Sequence, residues 1–260
     1  MTAGLGVSLL VRLPGAFLTF NVFGSPVTVP FTRTTLMAGL LVLLTAAAAE
    51  RTVRIHPLVR RAEPGLIETG VYWGLPAAIA ILAVLLTPQF PSRLFQMLGI
   101  LFSGVLMAVV LYALYGSVDP GAPGFRRSRI FLNLLAYGAA LALFLLVYRT
   151  RARSLVSGTE VALTAMLLAV ELLRSTTGRT DLVLSYAGII GLVLGEITWA
   201  LNYLVLPGLT GSLLLLLIFY LFVGLAQQSL QGRLSRRVVA EFALFALFAL
   251  ILISIVGPGF

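Results

Sequence analysis

Apolar runs long enough to cross a bilayer follow one another from Thr34 to Val256, separated by short turns that carry arginine, proline and glycine. A helix of about 20 apolar residues covers about 30 Å of hydrocarbon. That ruler predicts eight spans: Thr34–Ala49, Leu66–Leu86, Leu94–Tyr115, Ile130–Tyr148, Leu155–Leu173, Leu182–Leu204, Leu209–Ala226 and Val238–Val256. Breakers mark several connections: Pro88 and Pro91, the turn Asp119-Pro120-Gly121-Ala122-Pro123-Gly124, and Pro207-Gly208. No connection is long enough to separate two soluble domains. The expected fold is an all-α integral membrane bundle of about eight transmembrane helices, one domain over residues 34–260.

The first 33 residues read differently. Leu18, Phe20 and Val22 alternate with Thr19 and Asn21, then Gly24-Ser25-Pro26 turns the chain, and Val27, Val29 and Phe31 alternate with Thr28 and Pro30. A period of two around a turn predicts a β-hairpin, and the prolines on its second arm suit an isolated, edge-like ribbon. Residues 1–33 are therefore expected to hold a short extracytoplasmic hairpin. The alternative is a membrane-entering segment from Leu5 to Phe23, which Arg12 and Pro14 make costly.

Composition narrows the chemistry. With 60% hydrophobic and 10% charged residues, and a mean hydropathy of +1.06, there is too little polar surface to cover a soluble globule. The absence of cysteine excludes disulfides, thiolate metal sites and iron–sulfur clusters. His56 is the single histidine, which excludes a three-histidine zinc site and bis-histidine haem. All 18 basic residues are arginine, and the net charge is +9. In a soluble protein that balance would suggest nucleic acid; at helix ends it reads as orientation and contact with anionic lipid. Twelve arginines fall in the odd-numbered turns and six on the other side. That split puts the odd turns in the cytoplasm and both termini outside, with the Arg149–Arg153 cluster dissenting. The all-arginine usage suits a GC-rich prokaryotic genome, so a prokaryotic plasma membrane is expected.

Polar residues inside the spans form one candidate site. On the fifth span Ser157, Glu160, Thr164, Glu171 and Arg174 share a helix face, and on the sixth Ser185, Glu196, Trp199 and Tyr203 share another. The short turn Ser175–Thr180 makes these helices antiparallel neighbours, with Glu160 and Glu196 at one depth, about 21 Å from the cytoplasmic ends. Two such carboxylates suit a shared proton or a cation. The structural alternatives are a Glu160 that snorkels to Arg151 or Arg153, and a Glu196 bonded to a backbone carbonyl or to Asn202. Glu171 and Arg174 are expected to be a structural i,i+3 ion pair, and Glu241 is placed to pair with Arg237.

Other patterns are generic. Gly70 with Gly74, Gly99 with Ser103, and Ala187, Gly191 and Gly195 form small-residue faces suited to close helix packing. Tyr72, Trp73, Tyr112 and Tyr115 suit an interfacial belt. The segment Glu50–Glu63, with Arg51, Arg54, Arg60 and Arg61, is either a site for anionic headgroups or an ordinary positive-inside turn. No Walker A loop, HExxH, GxSxG or repeated aspartate motif occurs. No enzyme activity, cofactor or metal is expected. The expected role is a non-enzymatic structural, assembly or accessory component of a membrane complex. Its partners would be the lipid bilayer and other membrane subunits, met through the hairpin or the small-residue faces. The alternative is a small secondary transporter or translocase using Glu160 and Glu196 for proton- or cation-linked transport.

Overall fold

The computed structural model describes residues 1, 2, 4–6, 16–22, 25–150, 154–204 and 206–256 of the 260-residue chain. The chain divides into two compact units, Met1–Leu132 and Asn133–Phe260. In the first, strands β1 (Ala16–Val22) and β2 (Ser25–Phe31) pair antiparallel, with Ala16 opposite Phe31 and Phe20 opposite Val27. Gly24 lies outside the described residues, as do residues 7–15 of the alternative membrane-entering segment.

Helices α1 (Arg33–Arg54), α2 (Pro57–Ala62), α3 (Leu66–Gly70), α4 (Gly74–Leu86) and α5 (Arg93–Gly116) follow. Three of these starts have a side-chain cap. Thr32 caps α1, its hydroxyl accepting the Thr35 N–H while the Thr35 hydroxyl accepts the Thr32 N–H. His56 caps α2 through Nδ1, and Pro57 occupies the first helical position, where its missing N–H is harmless. Ser92 caps α5. Helices α1, α4 and α5 pack together around Leu41, Ala80, Ala83 and Val84, and Leu5 from the N-terminal segment joins that core.

In the second unit α6 (Phe125–Thr150), which begins in the first, is followed by α7 (Ser154–Leu173), α8 (Thr180–Leu201), α9 (Gly208–Leu230) and α10 (Arg236–Val256). Helix α9 touches α7, α8 and α10, and α6 meets it through rings: Tyr137 and Phe144 each lie 5.9 Å from Phe219, centroid to centroid. The closest pairing is α7 on α8. A Cβ added at Gly191 would stand 2.6 Å from the Ala162 carbonyl oxygen, and one at Gly195 would stand 3.0 Å from that of Gly158. The small-residue face of α8 is spent on this internal contact, where backbone lies on backbone.

Six described helices, rather than the expected eight, are long and apolar enough to cross a membrane: Thr34–Arg54, Arg93–Gly116, Phe125–Arg149, Leu155–Leu173, Thr180–Leu201 and Gly208–Leu230. The second expected span, Leu66–Leu86, breaks at Val71–Trp73. Pro76 supplies no N–H and its ring opposes a helical residue four positions earlier, so the helix restarts at Gly74 with Pro76 in its first turn. The 13 residues of α4 reach only about 20 Å. The last expected span lies in α10. That helix opens with Arg236, Arg237 and Glu241, and its side chains at 252 and 254–256 fall outside the described residues, so its described apolar run is short of a crossing.

Candidate functional site

Four glutamates sit within the candidate spans, and they fall into two kinds. Glu171, on the last turn of α7, is fully buried. Its Oε2 accepts from Arg174 Nε at 2.9 Å and its Oε1 from Nη2 at 2.8 Å, with the Arg174 side chain 4% exposed. Both carboxylate oxygens meet the planar fork of a guanidinium, the strongest geometry for this pair. Around it the helix ends are tied together. Gln227 of α9 donates to the Leu172 carbonyl at 3.1 Å, and the Tyr186 and Ser229 hydroxyls are 2.9 Å apart.

Glu50, on the last turn of α1, is the second saturated acid and one that sequence patterns missed. Its carboxylate takes Thr69 Oγ1 at 2.7 Å and Trp73 Nε1 at 2.9 Å, and it is ion-paired with Arg54. Thr69 and Trp73 flank the α3–α4 break, so Glu50 clamps α1 to the discontinuous helix at its weakest point. The i,i+4 spacing of Glu50 and Arg54 was a visible signal. The partners 19 and 23 residues further on, across an elbow, were not.

Glu160 and Glu196 are the opposite kind. The approach of Gly158 to Gly195 puts them at about one level, and each lies five residues inside its span end, about 8 Å. Yet both are exposed, and neither has a hydrogen bond or ion pair among the described residues. Glu160 follows Gly158 and precedes Ala162 by two residues. It therefore stands about 200° round the helix from the two residues that face α8. The expected inward-facing pair is not built: these acids do not turn together into the bundle. Asn202 donates instead to Ser157 Oγ at 2.7 Å, so it is not the partner of Glu196. Arg151 and Arg153 lie outside the described residues.

The remaining members of the predicted stripes divide in the same way. Ser157 is buried and Thr164 half-buried, whereas Ser185, Trp199 and Tyr203 are exposed. The fifth-span stripe does share an arc of about 100°, but burial along it follows level rather than angle: the Glu171 and Arg174 side chains are buried at the end of α7, and Glu160, within the same arc, is exposed. Arg237 and Glu241 pair at 3.0 Å on the exposed side of α10. No group of three His, Asp or Glu side chains able to hold a metal occurs among the described residues. Of the four span glutamates, Glu50 and Glu171 are committed to internal donors, and Glu160 and Glu196 have no partner among the described residues.

No curated protein and no solved structure matches this chain. Residues 13–256 match the family described as Protein of unknown function (DUF5656), and the chain, polytopic and helical, belongs to that family.

Proposed function

We propose that this protein is a non-enzymatic structural or assembly component of a membrane complex, and that the α7–α8 surface bearing Glu160 and Glu196 is covered there by another membrane subunit. The observation that carries the reading is the pair of exposed carboxylates inside two spans, without partners among the described residues. An acid left against hydrocarbon costs about 3 kcal/mol at mid-bilayer, so intramembrane acids pair with something. A neighbouring helix offering an arginine, a hydroxyl or a carboxamide meets that need. In this reading the protein sits in a prokaryotic plasma membrane with both termini outside, in keeping with the twelve-to-six arginine split, and β1–β2 lies on the outer surface as a further contact.

The test is the size and composition of the particle extracted in a mild detergent. The native chain should migrate with a stoichiometric companion, and Glu160→Gln with Glu196→Gln should release it while the chain stays monodisperse. A companion retained by that double variant, or a chain that is alone in the native membrane, overturns the reading. The same two acids also support the second reading, a small transporter in which they line a water-filled path. Proteoliposomes of the isolated chain that carry a proton or cation flux abolished by Glu196→Gln would favour that one.

A further inference from the structure

The elbow between α1 and α3 is a built platform on the first unit, and we infer that it binds the headgroups of anionic phospholipids. Two contacts fix it in place. At one end the His56 ring lies 4.7 Å from the Tyr115 ring, centroid to centroid, which seats the start of α2 beside the C-terminal end of α5. At the other, Glu50 holds Thr69 and Trp73. The elbow is thereby level with three helix ends: that of α1 at Arg54, the start of α3 at Leu66 and the end of α5 at Gly116. That is the height at which a span meets headgroups.

Its side chains suit that boundary on both counts. Ile55, Leu58, Leu66 and Ile67 are exposed, Ile67 by 72%, and they offer an apolar footing for acyl chains. Arg51, Arg60 and Arg61 are exposed among them. Two of the three acids of the same segment are engaged by donors of the chain itself. Glu50 is 14% exposed and saturated by its donors, and Glu68 accepts the Gly65 N–H at 3.2 Å across the start of α3. Glu63 and Glu68 are the exposed acids of the segment. The left-handed backbone of Glu63, φ 46°, ends α2 two residues after Arg61. Guanidinium forks over a shallow apolar surface recognise a phosphate ester attached to acyl chains, and the net negative charge of the headgroup supplies the selectivity.

The experiment titrates the full-length protein in detergent with short-chain phosphatidylglycerol, phosphatidylcholine and inorganic phosphate. Phosphatidylglycerol should bind at least tenfold more tightly than phosphatidylcholine, and inorganic phosphate should not bind measurably. Each interfacial arginine is worth about 1 kcal/mol, about fivefold in affinity. Arg60→Gln with Arg61→Gln should therefore weaken phosphatidylglycerol on the order of 25-fold. Arg233→Gln, an exposed arginine of the second unit, should leave it unchanged. Leu58→Ser should weaken both lipids while keeping their ratio, a readout that does not depend on the arginine variant folding. Equal binding of the two lipids, binding of phosphate alone, or an equal loss with Arg233→Gln would each overturn the assignment.

Discussion

Glu171 and Glu160 lie eleven residues apart on one helix, and they live in different worlds. Glu171 is buried, with both oxygens on the Arg174 fork; Glu160 is exposed, with no partner among the described residues. Helix α7 supplies both positions with the same backbone. Eleven residues are about three turns, so the two acids sit within about 20° of one face, and the difference lies in level: Glu171 lies among the tied ends of α8 and α9, whereas at the level of Glu160 that face is exposed. A carboxylate inside a membrane helix is thus structural where a donor is built next to it. Where none is, it marks, under the proposed function, a surface for an external partner.

Six variants break or sharpen that contrast, each read as a change in unfolding free energy from denaturant titration in mixed micelles. Arg174→Met should have the largest effect, about 3–5 kcal/mol, because it takes both hydrogen bonds of the guanidinium fork from a fully buried carboxylate. Adding Glu171→Met to it should recover part of the loss, since the buried carboxylate that has lost its guanidinium fork is then removed as well. Glu50→Ala should follow at about 2–3 kcal/mol, because it deprives Arg54, Thr69 and Trp73 of their shared acceptor; Trp73→Phe, which removes one hydrogen bond, should cost about 1 kcal/mol. Gly191→Ala tests the register that turns Glu160 outward. Its new methyl would stand 2.6 Å from a backbone oxygen, and forcing α7 and α8 apart should cost about 1–3 kcal/mol. Glu160→Gln with Glu196→Gln should change the stability of the isolated chain by less than about 0.5 kcal/mol. A loss above 2 kcal/mol from that last pair would show that the two acids are internally bonded after all.

Much of this was legible in the chain itself. Apolar length located α5 to α9 within a few residues, because in lipid a helix is the available way to satisfy a run of backbone groups. The spacing of Glu171 and Arg174 foretold their pairing, since both partners ride on one helix and need no tertiary contact. The break at Val71–Trp73 was harder. Hydropathy measures the length of a greasy run rather than its continuity, although Gly70, Gly74 and Pro76 stood there as punctuation. The outward turn of Glu160 was not legible, because helical offsets state which residues share a face and not which face meets a neighbour. The Glu50 clamp was hidden for a related reason: its second and third donors come from beyond an elbow, and one sequence carries no sign of contacts at that separation.

The Glu171–Arg174 pair has a further consequence for how the protein is made. Because donor and acceptor lie one turn apart on α7, their mutual neutralisation needs only that turn to be helical, and a turn forms in the exit path before any neighbouring helix has emerged. The segment can therefore leave the translocation machinery as a helix whose two charges already cancel. The brief turn to α8 and the glycine seam between the helices then let both enter lipid together, as one hairpin. Moving the arginine to a different helix would keep the finished contact but expose a lone carboxylate to hydrocarbon during synthesis, so placing the pair on one segment protects insertion as well as the folded state.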